Sequence, residues 1–284
     1  MRKQFATLFT LLIGIQNCWA AFNVDVNLSY DYFRGLPDGS WNGNSGAFVA
    51  ANVNTSLYEC VGVQLGGSFG LYNWDGRENQ VFRNSKELQQ QIFVTGGVFT
   101  PIAPFNLGFV YDRQFVEDFG IYAVDTSFDQ LRFQGGYAFC WEEIGIWGTA
   151  HLTTAHKSAL GLPVSFRAIN QINLFWTHYF ENLAMSTLWI GTPYGNSLKF
   201  HHKPAGTFTA GFSLHAPLTT CLFIDCHASY MRARSSGSNQ SRNYASHVCL
   251  GLTYVFGGEC ADYPASYMSL ANNSNFLVDT NVNQ

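Results

Sequence analysis

From Phe22 to Phe256 the chain alternates apolar and polar residues through about twelve segments separated by polar stretches. In the first segment Phe22, Val24, Val26, Leu28, Tyr30 and Tyr32 take one face of a strand, and Asn23, Asp25, Asn27, Ser29 and Asp31 take the other. One face suits hydrocarbon and the other suits water, as in a strand of a membrane-spanning antiparallel barrel. Strands are predicted at 22–33, 46–54, 61–72, 90–100, 105–115, 128–139, 144–153, 167–179, 183–192, 206–216, 221–231 and 244–256. Each approaches the roughly 9–11 residues that a tilted strand needs to cross a bilayer.

The connections sort by length. Pro101-Ile102-Ala103-Pro104, Trp141-Glu142-Glu143, Phe180-Glu181-Asn182 and Pro217-Leu218-Thr219-Thr220 read as tight turns, and longer loops span 73–89, 154–166, 193–205 and 232–243. Short periplasmic turns, longer external loops and an even strand count define outer-membrane barrels, and the order here fits them with a periplasmic amino terminus. The fold class is therefore all-β, a transmembrane antiparallel barrel of about twelve strands with a periplasmic C-terminal tail.

Two boundaries follow. Arg2 and Lys3 precede an apolar run from Phe5 to Ile15, and Cys18-Trp19-Ala20 fits a cleavage site, so residues 1–20 are expected to be a secretory signal peptide. Residues 21–256 form the barrel and 257–284 the tail. The tail is rich in Gly, Asn and Ser, with a short apolar core at Phe276-Leu277-Val278. A periplasmic, disordered segment is the simplest reading of it, and plugging the barrel mouth or docking beneath it is the competing one.

Composition narrows the function classes. Charged residues make up only 12% and aromatic residues 16%, with a mean hydropathy of -0.01, which suits strands apolar on one side only. No stretch after residue 20 has the roughly 18 apolar residues of a membrane-spanning helix. The signal takes two bases and no acids, so the mature chain is more acidic than the formal -4 of the whole sequence. Nucleic acid is excluded as a partner on that ground. Outer-membrane lipid and small hydrophilic solutes are the expected partners.

Inward-facing positions decide between an open and a filled lumen. About eight strands leave an interior that side chains fill, and sixteen to eighteen leave a wide channel, so twelve predicts a narrow passage. Asp25, Asp31, Asp112 and Asp225 against Arg132 would favour cations modestly. The same groups could instead hydrogen-bond one another and close the lumen. Inward glycines such as Gly62, Gly66, Gly108, Gly136, Gly145 and Gly211 leave room for water. Phe48, Phe93, Phe99, Trp147, Phe175 and Phe223 also fall inward by strict alternation, where they could line a path for an apolar or sugar-like solute or form a constriction.

The last segment, Cys249-Leu250-Gly251-Leu252-Thr253-Tyr254-Val255-Phe256, resembles the closing-strand signal read by the bacterial outer-membrane assembly machinery. The whole pattern, with its ending Asn275-Phe276-Leu277-Val278-Asp279-Thr280-Asn281, is similar to outer-membrane barrels of chlamydia-like and planctomycete bacteria, which implies an envelope protein. Six cysteines remain after Cys18 leaves with the signal. Cys60, Cys140, Cys221 and Cys260 fall at the periplasmic rim, and the resemblance implies disulfide cross-links there, to other envelope proteins or within the chain. Buried thiols acting as small apolar residues are the alternative. Cys226 and Cys249 lie on neighbouring strands but face opposite ways.

One enzymatic pattern is present. Outer-membrane phospholipases, also twelve-stranded, use a His-x-Ser pair with a downstream Asn, and His156-Lys157-Ser158 is followed here by Asn170. The flanking residues do not match that family and the pair falls in a loop, so no enzymatic activity is expected. His201-His202 lacks further ligands at metal spacing, and no metal or cofactor is expected.

Overall fold

A side chain pattern that serves two solvents needs a sheet with two different faces, and a sheet in lipid must also close on itself to satisfy its edges. The protein meets both demands in a computed structural model that describes residues 22–34, 43–58, 61–73, 88–100, 102–119, 124–159, 161–200, 202–234, 244–256 and 268–282. The signal peptide expected at 1–20 lies outside the described residues.

Twelve strands build the wall. They are β1 (Asn23–Arg34), β2 (Gly43–Tyr58), β3 (Val61–Asn73), β4 (Leu88–Thr100), β5 (Phe105–Phe119), β6 (Val124–Phe139), β7 (Glu142–His151), β10 (Gln171–Tyr179), β11 (Met185–Pro193), β12 (Gly206–Pro217), β13 (Leu222–Ala233) and β14 (Ala245–Phe256). Each pairs antiparallel with its neighbours in chain order, and β1 closes on β14 from Val24 opposite Phe256 to Arg34 opposite Ser246. All twelve expected strands are present, several of them longer at the end facing the long loops.

Three further strands lie outside the wall: β8 (Ala155–Ala159), β9 (Leu162–Ala168) and β15 (Val278–Val282) form a small sheet in the order β15-β9-β8. This corrects two expectations. The loop at 154–166 contains a hairpin, and the strand expected over 167–179 is broken at Ile169-Asn170. The break is fixed by hydrogen bonds that divert the chain: Asn170 Oδ1 accepts from the His151 backbone N–H at 2.7 Å, and the Asn170 carbonyl accepts from Tyr194 N–H at 2.9 Å.

The two faces of the wall separate as the alternation predicts. Outward residues such as Leu28, Leu65 and Leu250 are more than half exposed, whereas inward Asp31, Asp112 and Gln130 are at most 1% exposed. Near the tight turns the outer surface carries an aromatic belt, with Phe105 against Tyr137 at 5.4 Å and Tyr254 against Phe256 at 4.6 Å between ring centroids. Such belts sit at the level of lipid headgroups.

The tail departs from the disordered reading as well. Its described part, residues 268–282, lies inside the barrel and not beneath it. It enters near the tight turns, where Gln64 on β3 and Gly108 on β5 receive Met268. It ends among the long-loop connections, where Val278 to Val282 pair with Ala168 to Val164. The composition that reads as disordered is the one that a polar lumen can pair with: backbone and amide groups of the tail take up inward side chains that would otherwise be buried without partners. Its apolar core, Phe276-Leu277-Val278, is buried with Phe93, Phe119, Phe128, Phe166, Ile169 and Met231, closing the lumen near the long loops.

Candidate functional site in the barrel lumen

Period-2 alternation carries all five expected lumen charges inward, and the register brings two of them together. Asp112 on β5 lies opposite Gln130 on β6, and Arg132 follows two residues on, on the same face. Arg132 Nε and one terminal nitrogen donate to the two Asp112 oxygens at 2.9 and 3.1 Å. Thr95 Oγ1 and Gln130 Nε2 also donate to that carboxylate, at 2.8 and 3.0 Å. The pair is therefore fully hydrogen-bonded as well as ion-paired, the condition under which a buried pair is tolerated.

The same residues hold the tail. Arg132 donates to the Ser269 carbonyl at 2.6 Å and to Ser269 Oγ at 3.0 Å. Thr95 Oγ1 accepts from Ala271 N–H at 2.9 Å. Gln64 imitates a strand partner: its Nε2 donates to the Met268 carbonyl and its Oε1 accepts from Met268 N–H, both at 2.8 Å. Farther along, Asp31 accepts from Asn273 Nδ2 at 2.8 Å and from the Tyr72 hydroxyl at 3.2 Å, and it pairs with His247 Nε2 at 2.6 Å. Between these anchors the tail makes one tight turn, in which Phe276 N–H donates to the Asn272 carbonyl at 2.9 Å and Asn275 Nδ2 donates to the Leu270 carbonyl at 3.0 Å.

The other expected acids serve the wall. Asp25 accepts from Asn52 Nδ2 at 3.1 Å. Asp225 pairs with His215 Nδ1 at 2.6 Å and accepts from Thr253 Oγ1 and Asn27 Nδ2. Asp25 and Asp225 line one lumenal cavity and Arg132 another, with Ser269 and Asn272 of the tail bordering both.

Phe48, Phe93, Phe99, Trp147, Phe175 and Phe223 all face inward, confirming the register. Phe93 packs on the tail's Phe276 with 5.7 Å between centroids, and Phe223 stacks on His215 at 4.4 Å. Inward glycines are seats for bulky neighbours as well as gaps for water. A Cβ built on Gly66 would meet Leu270 at 2.6 Å, and one on Gly108 would meet Met268 at 2.5 Å. The lumen that the tail leaves free comprises a cavity of about 240 Å³ along β7, β10 and β11 and one of about 180 Å³ along β1, β13 and β14. Sequence reasoning missed Glu143, which it assigned to a turn; it belongs to β7 and shares the inward face of Gly145, Trp147 and Thr149. Stepping the alternation back from Trp147 would have found it.

The expected cysteine site is partly in view. Cys140, Cys226 and Cys249 are free thiols, Cys140 exposed beside a tight turn. Cys221 is engaged. Cys60 and Cys260 lie outside the described residues. Cys226 pairs with Leu250, and Cys249 with His227, so the two thiols face opposite ways as expected. In the hairpin of the long connection, His156 Nδ1 lies 2.9 Å from Ser165 Oγ, and Asn170 Oδ1 lies 2.8 Å from His151 Nδ1. His156 and Asn170 of the sequence pattern thus have separate partners, and neither of these contacts involves Ser158.

Solved structures share the architecture. An outer-membrane channel from Pseudomonas putida F1 is 10% identical with a TM-score of 0.54, over 84% of this chain and 96% of that one. A FadL homologue from Pseudomonas aeruginosa is 9% identical with a TM-score of 0.50, over 83% and 90%. Outer membrane phospholipase A from Escherichia coli is 8% identical with a TM-score of 0.45, over 81% and 95%. At these identities the likeness is one of fold. No curated protein matches by sequence. One family matches residues 9–278, the described tail up to the start of β15 included, and the chain belongs to it: the family of unknown function DUF6666.

Proposed function

We propose that the protein is an outer-membrane channel for small hydrophilic solutes that rests closed, with residues 268–282 as its gate. The observation that carries this reading is the tail's course through the lumen, from Met268 at Gln64 to β15 beyond the long-loop rim. The wall does not depend on it, because each of the twelve strands is paired on both sides by other wall strands. The anchors at Met268, Ser269, Ala271 and Asn273 are hydrogen bonds that water can replace, and apolar burial of Phe276-Leu277-Val278 adds to the hold on the tail. With the tail withdrawn, Asp25, Asp31 and Asp225 would face water in a passage where Arg132 is already paired with Asp112, which favours cations modestly. The apolar outer face, the aromatic belt and the signal-like leader support residence in the outer membrane. The reading includes no catalytic step.

Planar-bilayer recording in a salt gradient tests it, comparing the refolded mature chain with a variant that ends at Phe256. The full chain is expected to be silent or to open briefly, and the truncated barrel to give steady, cation-preferring steps. A truncated barrel that stays folded by heat-modifiable migration yet never conducts would overturn the reading.

A second reading, a non-conducting envelope protein cross-linked at its rim, is favoured by two cysteines near the tight turns. Cys140 is an exposed thiol, and Cys221 follows the Pro217–Thr220 turn. It expects high-mass species on non-reducing gels of native envelopes that collapse with reductant, and their absence removes it.

A further inference from the structure

The larger lumenal cavity holds a group that the gate does not use. Glu143 is 3% exposed and lines this cavity of about 240 Å³. Its Oε2 accepts from the Tyr179 hydroxyl at 2.5 Å. Its Oε1 is buried without a hydrogen-bond partner among the described residues. Arg132 lines the same cavity, but its donors are taken by Asp112 and Ser269. Trp147, Phe175 and Trp189 line the same cavity, the two indoles edge to face with 6.2 Å between centroids. Glycines make room for them: a Cβ on Gly145 would collide with the Phe175 ring, and one on Gly211 with the Trp189 ring.

A carboxylate withdrawn from water with one donor is costly unless a cation or further donors reach it. Aromatic faces attract cations, more strongly where water is excluded. A hard metal ion needs several oxygen ligands, and this cavity offers one carboxylate among rings. We propose that the cavity binds an organic ammonium ion, its charged head between the Glu143 carboxylate and the rings of Trp147, Phe175 and Trp189. The wall separates the cavity from lipid, so the ligand is a free solute and not a lipid headgroup. The proposal rests on the lumen being a route for solutes.

Choline is the probe, titrated into the refolded mature chain in detergent while tryptophan fluorescence is followed. Its uncharged isostere 3,3-dimethylbutan-1-ol and glucose are run in parallel. Choline should give a saturable change, with the isostere binding weaker by at least about tenfold. Glu143→Gln, which keeps an acceptor for Tyr179, should abolish that preference, and Trp189→Leu should weaken choline binding. Equal binding of choline and the isostere by the unaltered protein would overturn the proposal, as would unchanged choline affinity in folded Glu143→Gln or a saturable response to glucose alone. The wild-type comparison stands even where a variant does not fold. Because the readout is binding and not current, failure here is distinct from failure of the gated-channel reading.

Discussion

Arg132 belongs to the wall by sequence and to the tail by contact. It neutralises Asp112 and at the same time donates to both oxygens of Ser269, 137 positions away along the chain. Replacing it with methionine leaves the Asp112 carboxylate buried beside two uncharged donors, a loss of about 3–5 kcal/mol for a broken buried pair. The expected outcome for Arg132→Met is a lower temperature of heat-modification on gels together with more frequent channel opening. Adding Asp112→Asn should restore part of the stability but not the closure, since Ser269 still lacks its donor. That all five lumen charges face inward was legible, because a strand's period of two admits only one answer once the lipid face is known. Their partners were not: hydrogen bonds from Arg132 to Ser269, or from Asn273 to Asp31, join residues with no local pattern between them.

Elements outside the wall were harder to read for a related reason. β9 has the sequence LPVSFRA and alternates acceptably, but its continuation into Gln171 conceals the break at Ile169-Asn170, which side-chain hydrogen bonds impose. β15 is only five residues long and becomes a strand because β9 offers it an edge. Wall strands, by contrast, carry their lipid-facing pattern for nine residues or more and could be placed from sequence alone. The gate's fit to the wall rests on two small seats. In Gly108→Leu the new side chain occupies the place of Met268, and the nearest wall backbone atom, the Val98 carbonyl oxygen, lies 4.0 Å from the added Cβ. At Gly66 an added Cβ would also meet the Ala51 carbonyl oxygen of β2 at 2.7 Å, so a substitution there disturbs the wall together with the tail. Gly108→Leu should therefore fold as a barrel with an unlatched tail, seen as increased conductance and as cleavage within 268–282 by added protease. A Gly108→Leu protein that folds and remains as closed as the parent would show that this seat does not hold the gate.

At the scale of the whole molecule, twelve strands, their order and their two faces follow from alternation and loop length, whereas the tail's position does not. Polar composition without periodicity describes a segment soluble in water and equally one that fits a polar lumen. The path through the barrel brings Val282 out among the long connections, on the opposite side from Phe256. An epitope tag added after Gln284 should thus be reached by antibody on intact cells, where the long loops are external, and a tag reached only after permeabilisation would contradict the path. The gate is in effect a ligand tied to its own receptor. Because it is part of the same chain as the wall, it rebinds after each departure without any search through solution. A single cut in the chain between Phe256 and Met268 would leave every contact described for residues 268–282 intact. Closure would then depend on peptide concentration, and dilution alone would open the barrel.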